Sequence, residues 1–305
     1  MFNGAAGSRK ERMSIELDEG TISRRADGGP DLYYASAMPS SGAKALLGII
    51  HGYADHGARY RHVMGALAEH GIGSVAVDLR GHGRALGQRG FCFRFEEYLD
   101  DVRELRRLVE ERAKAGTRMR GDESSPPMFL FGHSFGGLVA TSSLLESPGA
   151  FKGLVLSAPY FGLALEAPRW KVLAGKVASR FAPRLGLPSG LQGKDMTHDT
   201  ERARGYDQDP LVFKDVTARW FTEAAAAQER VLADVSRLTM PLYVAFGTSD
   251  KIASMAAAKR VFDAAGSADK TWDPREGLFH EVFNEPSWKE LVESISRWIL
   301  ARAQR

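Results

Sequence analysis

The chain has 305 residues, 44% of them hydrophobic and 26% charged, with a formal net charge of +3. That length buries the core of one large α/β domain or two small ones, and so small a net charge excludes a nucleic-acid binder driven by bulk basicity. A single cysteine, Cys92 in "GFCFRF", excludes an internal disulfide and offers no metal-ligand spacing, and it reads as a buried filler.

Residues 1–12 read as a disordered tail, charged and without the apolar stretch of a secretory signal. "MSIEL" and "LYYASA" follow as an antiparallel hairpin, and "ALLGII" (45–50) as the next strand. A helix is predicted over roughly 58–70, then the strand "IGSVAVD" (72–78). Phe95, Tyr98, Leu99, Val102, Leu105 and Val109 fall at helical spacing within 95–113, and "TRMRGDESSPP" (117–127) reads as a polar loop. The strand "MFLF" (128–131), a helix from about 135 and the strand "GLVLS" (153–157) continue the alternation. Between about 158 and 230 no strand of the sheet is expected. Helices and loops there read as an insertion over one end of the sheet, with a cap at 158–207 and a core of 13–157 plus 208–305. "PLYVAF" (241–246), a helix near 252–265 and a short strand "KTWD" come next. The last helix, from Pro286, carries Trp288, Leu291, Val292, Ile295, Trp298 and Ile299 on one face. Apolar strands interleaved with amphipathic helices mean a mostly parallel sheet covered on both sides, an α/β fold. No window approaches the ~18 apolar residues of a membrane span, so a soluble, cytoplasmic protein is expected.

Gly132-His133-Ser134-Phe135-Gly136 has the strand–turn–helix setting of a G-x-S-x-G nucleophile elbow. Glycines two residues either side leave room for a serine held in a strained conformation at the tip, and the helix start beneath it adds positive potential where an oxyanion would form. A serine hydroxyl needs a general base. In the order nucleophile, acid, base, only His198 and His280 follow Ser134; His198 falls in the insertion, whereas His280 sits in a loop before the final helix. Asp250 comes just past the strand "LYVAF" and is the candidate acid, with Asp273, at the end of the next strand, as runner-up. Asp263 lies within a helix and Asp269 reads as solvated. Asp250 would fix the His280 tautomer and stabilise its imidazolium. The oxyanion donors would be the N–H groups of Phe135 and Tyr53, the latter in the turn His51-Gly52-Tyr53. No cofactor and no metal site is called for.

With these residues in place the chain resembles the α/β-hydrolase superfamily, in its monoacylglycerol lipase and lysophospholipase-like, serine-aminopeptidase-type branch. The resemblance rests on "HGYADHGARY" (51–60), "DLRGHG" (78–83), "GHSFGG" (132–137), "LSAPYF" (156–161), "DPLVF" (209–213), "GTSDKIAS" (247–254) and "HEVFNE" (280–285), in family order. It implies a Ser134–Asp250–His280 triad, a hole formed by Tyr53 and Phe135, and a helical cap. Asp78 and His82 match family positions and read as supports of the oxyanion turn. One departure is Ala85, where family members commonly carry serine.

In 168–184, Trp170, Leu173, Val177 and Phe181 share a helical face, and Arg169, Lys171, Lys176, Arg180 and Arg184 are not offset by any acid. With Tyr160 and Phe161 these apolar residues are the candidate substrate contacts. A basic amphipathic helix can lie on an anionic membrane; the preferred reading is a cap helix packed over the site entrance, and the two are compatible. The function expected is hydrolysis of carboxylic esters of single-chain lipids, with a lipid or small-molecule ester as partner. Its rivals are an aminopeptidase or xenobiotic esterase on the same triad, or a ligand-binding member of the fold without catalysis. A peptidase would want an acidic anchor, and Glu166, Asp195, Asp199 and Glu201 form no convincing cluster.

Overall fold

The computed structural model describes residues 14–24, 28–120, 125–165 and 169–304; the tail expected at 1–12 and residues 121–124 of the expected polar loop lie outside the described residues. The strands are β1 (Ile15–Ile22), β2 (Leu32–Pro39), β3 (Ala45–Ile50), β4 (Ile72–Asp78), β5 (Met128–His133), β6 (Gly153–Ser157), β7 (Gly186–Pro188), β8 (Asp215–Thr217), β9 (Leu242–Gly247) and β10 (Lys270–Arg275). The helices are α1 (Arg61–Glu69), α2 (Glu96–Arg120), α3 (Phe135–Glu146), α4 (Arg169–Phe181), α5 (Thr200–Gln208), α6 (Ala218–Asp234), α7 (Met255–Ala264) and α8 (Trp288–Ala303).

Eight strands form one sheet in the order β1-β2-β4-β3-β5-β6-β9-β10, in which β2 alone runs against its neighbours. The central strands are buried along their length because helices cover both faces. Alternation along the strands separates two cores. Leu46, Ile50 and Leu130 face α2, α3, α6 and α7, whereas Leu47, Ile49, Phe129 and Phe131 face α1 and α8. Each such side chain contributes about 1.5–3 kcal/mol on burial. This is an α/β-hydrolase fold.

The sheet's two edges are unlike its centre. β1 is mostly exposed and carries Glu16, Asp18 and Glu19, of which Asp18 pairs with Arg112 and Glu19 with Arg61. β10, the opposite edge, contains Pro274.

Several boundaries differ from expectation. α2 continues to Arg120, four residues into the expected loop. α7 starts at Met255, after Ser254, whose hydroxyl accepts the Ala257 N–H and so ends the preceding turn. The insertion also holds a short antiparallel ribbon, pairing Gly186–Pro188 with Asp215–Thr217 across position 207. Three-residue strands of mixed polarity carry no period that the sequence could reveal.

Candidate active site

Ser134 stands between β5 and α3 with φ 51° and ψ −119°. Its N–H donates to the Ser157 carbonyl at 2.9 Å, and its own carbonyl accepts from Gly137 and Tyr160, each at 2.9 Å. The flanking glycines are steric necessities: a Cβ on Gly132 would lie 2.4 Å from the Gly136 carbonyl oxygen, and one on Gly136 2.4 Å from those of Ile50 and His51. Among the described residues two other non-glycine residues have positive φ, Ala54 (59°) and Ala158 (42°), and both are fully buried. Ser134 and these two follow β5, β3 and β6 at one end of the sheet. Such conformations cost of order 1–3 kcal/mol each and persist only where packing over-determines them.

Asp250 follows β9 and His280 precedes α8. The Nδ1–H of His280 donates to Asp250 Oδ2 at 2.7 Å, and both side chains are buried. Asp250 Oδ1 accepts from the N–H groups of Ile252 (2.8 Å) and Ala253 (3.1 Å). Burial alone would raise the Asp250 pKa, but His280 and these donors hold it below the ordinary value. For His280 burial works the other way, and the Asp250 carboxylate outweighs it, with a net rise. His133 packs against the His280 ring at 4.8 Å and sits near a pKa of about 4, through burial and the neighbouring imidazole. It is therefore neutral, and its Nδ1–H reaches Ser157.

The runner-up acid is elsewhere. β10 runs on past Asp273, which accepts from the Tyr243 hydroxyl and from Arg275 and so is not at a strand end. Asp263 pairs with Lys259 on α7. Asp269 is bound to Arg302, not merely solvated as the sequence suggested.

The turn after β3 is built around a buried histidine. His51 donates from Nδ1 to the Gly52 carbonyl (2.7 Å) and accepts at Nε2 from the Leu79 N–H (3.0 Å), the neutral tautomer that burial favours. Gly52 sits against the serine, since a Cβ there would be 3.4 Å from Ser134 Cβ. Asp78 accepts from the N–H groups of Gly57 (2.7 Å) and Arg84 (2.8 Å), while the His82 ring packs on His51 and Tyr53.

A second polar cluster escaped the sequence reading. Arg59 makes a two-pronged contact with Glu281, both bonds at 2.7 Å, and also reaches Asp55 at 2.9 Å. Burial opposes the charge on both carboxylates, but the guanidinium holds each below its ordinary pKa. The Tyr206 hydroxyl of α5 is buried beside them without a hydrogen-bond partner, with Arg59 over its ring at 5.0 Å. The signal lay in the strings "HGYADHGARY" and "HEVFNE", which carry Asp55, Arg59 and Glu281.

Ser134, His280, Gly52, Tyr53 and Phe135 line one cavity of about 700 Å³. Its walls are mainly apolar, among them Leu163, Leu187, Val216, Trp220 and Phe221, and Asp55, Glu281 and Tyr206 form a polar part.

The model of the serine aminopeptidase, S33 family matches residues 41–287, more than half of the chain. The chain belongs to this family. It is similar to the monoacylglycerol lipase of Mycolicibacterium smegmatis, 28% identical over 90% of this chain and 94% of that one. It is also similar to phospholipase YtpA of Bacillus subtilis, 30% identical over 82% of this chain and 93% of that one. Among solved structures, Paleococcus ferrophilus monoacylglycerol lipase superposes with a TM-score of 0.77 at 27% identity, covering 89% of this chain and 99% of that chain. These likenesses place this S33-family chain in the monoacylglycerol-lipase-like branch of the α/β-hydrolase superfamily.

In this S33 member, Tyr160 and Trp170 line the cavity as expected of substrate contacts, but four other candidates do not. Phe161 is buried in the core against α6 and α7. Leu173, Val177 and Phe181 point away from the cavity and are 65%, 52% and 80% exposed. The face of α4 turned inward is made of small residues, Ala174, Gly175 and Ala178, because the space there belongs to the cavity. The side chains of Arg169 and Lys171 lie outside the described residues; those of Lys176 and Arg180 are exposed. Ala85, the departure from the resembled pattern, is buried, and its N–H donates to the His82 carbonyl in a turn that Asp78 also holds through the Arg84 N–H.

Proposed function

We propose that the protein hydrolyses carboxylic esters of single-chain lipids through an acyl-enzyme on Ser134. The observation that carries this reading is a strained, near-buried serine at one wall of a largely apolar cavity that His280, hydrogen-bonded to Asp250, also borders. Ser134 Oγ attacks the ester carbonyl as its proton passes to His280 Nε2. The N–H groups of Tyr53 and Phe135 hold the oxyanion. The alcohol leaves with the proton from His280, and water, deprotonated by the same imidazole, attacks the acyl carbon and releases the acid. No step needs a metal or cofactor.

The apolar part of the cavity suits an acyl chain, and the Tyr206 hydroxyl with Asp55 and Glu281 suits a hydroxyl-bearing alcohol. The names of the relatives, monoacylglycerol lipase and phospholipase, point to the same ester class. The family's peptidase name has less support, because Asp55 and Glu281, the two carboxylates among the described residues that line the cavity, are both clamped by Arg59 rather than free for an amine. We further propose that residues 158–207, with the ribbon strand β8, form a cap. Its outward stripe of Leu173, Val177 and Phe181, beside Lys176 and Arg180, would rest on an anionic lipid surface. No helix among the described residues is long and apolar enough to cross a membrane.

Initial rates on monoacylglycerols of increasing acyl length, aminoacyl amides and fluorophosphonate labelling test the proposal together. Ser134→Ala should lose ester turnover by about 10³–10⁶-fold and all labelling. Faster amide than ester cleavage, or a variant as active as the parent, overturns it.

A further inference from the structure

The turn carrying the Tyr53 N–H holds itself poorly. Its one internal backbone bond, from Asp55 N–H to the Gly52 carbonyl, is long at 3.4 Å, and the next residue, Ala54, has positive φ. His51 anchors the turn before Tyr53 through Gly52 and Leu79, and beyond it the Tyr53 side chain makes the ties, most of them to the insertion between β6 and β9. The hydroxyl donates to the Asp215 carbonyl of β8 at 2.8 Å. The ring lies 3.8 Å from that of Trp220 on α6 and meets Phe213 edge-on at 5.2 Å. It also meets Phe135, the other residue read as an oxyanion donor, edge-on at 6.2 Å, and Phe135 in turn packs on Trp220 at 4.9 Å.

The surroundings are shaped for this hydroxyl. Gly90 has φ +58°, and a Cβ there would lie 2.2 Å from Tyr53 Oη. The Gly90 carbonyl accepts from the Thr217 hydroxyl at 2.6 Å, which stitches the loop after β4 to the same strand. Thr217 also caps α6 through the Trp220 N–H. α6 in turn holds α4, where the Ser179 and Thr222 hydroxyls share a hydrogen bond of 2.7 Å.

We propose that the Tyr53 side chain is a positioning residue that ties the helical cap to the oxyanion turn, so that the seating of the cap sets the alignment of the Tyr53 N–H. The inference rests on the reading of Tyr53 and Phe135 as oxyanion donors. Backbone donors stabilise the transition state only when aimed at the oxygen as its charge develops. A turn held by the cap delivers that aim only while the cap is seated. Ligand contacts on β8 and α6, where Val216, Trp220 and Phe221 line the cavity, therefore reach the oxyanion hole through one phenol ring.

Tyr53→Phe removes the hydroxyl and leaves the ring and the N–H. The test measures kcat and KM on a butyryl and a decanoyl ester of one alcohol, per active site titrated with a fluorophosphonate, alongside Ser134→Ala. The expected result is a fall in kcat of about 10-fold on both esters, KM within 2-fold, and a matching fall in the rate of fluorophosphonate labelling, whose phosphoryl oxygen uses the same donors. Tyr53→Ala, which also removes the ring, should deepen the loss in kcat to about 100-fold with KM again little changed. An unchanged kcat in Tyr53→Phe with only a lower melting temperature overturns the coupling, as does a rise in KM confined to the decanoyl ester. Ser134→Ala as active as the parent overturns the catalytic reading and the coupling with it. Ser134→Ala inactive beside a fully active Tyr53→Phe overturns the coupling alone.

Discussion

Ser134 keeps its unusual backbone because neighbours on several sides demand it: the Ser157 carbonyl, the Tyr160 N–H and the closely packed turn after β3. Its proposed base is tuned by a single carboxylate. Asp250 stabilises the His280 imidazolium, so a proton stays on His280 to a higher pH than the ordinary value of about 6.5. A protonated imidazole cannot accept from Ser134, and kcat/KM should rise with pH through a limb above that value. Asp250→Asn removes the negative charge that opposes burial at His280. The limb should then move to lower pH, and the plateau should drop by about 10³–10⁴-fold through the wrong tautomer. A pH profile of kcat/KM for both proteins measures this, and a limb that stays put removes Asp250 from the proposed role. At this scale the sequence was most legible. An elbow is a run of five adjacent residues, and a place in the turn just past the strand "LYVAF" put Asp250 ahead of Asp273. It was least legible where partners lie far apart: Arg59 and Glu281 are 222 positions from each other, and no local pattern announces their pairing.

Among elements, α4 shows what periodicity can and cannot tell. The spacing of Trp170, Leu173, Val177 and Phe181 gives a genuine stripe, yet three of the four face outward and small residues face the cavity. A hydrophobic stripe usually packs inward. A helix over an open cavity needs no bulk on that side, so its large residues are free to serve another surface. Lys176→Glu with Arg180→Glu should reduce co-sedimentation with anionic phosphatidylglycerol vesicles by about 10-fold or more, since each basic residue near such a surface contributes about 1 kcal/mol and each acid reverses it. Hydrolysis of a soluble short-chain ester should be unchanged. Equal sedimentation of variant and parent would detach α4 from the lipid surface. The ribbon β7–β8 was invisible for a different reason, being too short to carry a period, although it binds the Tyr53 hydroxyl.

Across the whole molecule, Arg59 joins three regions remote in sequence: the turn after β3, the loop of His280 and α5. It pairs with Asp55 and Glu281 and covers the Tyr206 ring, while the Glu281 N–H donates to the Met196 carbonyl. Removing one partner of a buried ion cluster leaves uncompensated charge and costs about 3–5 kcal/mol. Arg59→Met should lower the unfolding free energy in urea by that amount; a change under 1 kcal/mol would show the cluster to be incidental to stability. The sheet and its two covered faces were legible because continuous apolar strands interleaved with amphipathic helices are the pattern of a parallel sheet buried on both sides.

The two edges of that sheet carry a consequence of a different kind. A free edge offers unpaired N–H and C=O groups to any passing extended chain. Here one edge presents Glu16, Asp18 and Glu19, whose charge a second acidic strand would meet as repulsion, and the other presents a proline that interrupts the row of donors. The sheet therefore ends by refusal at both margins. A crowded solution of this protein is protected from strand-by-strand growth by a few residues that take no part in the proposed chemistry.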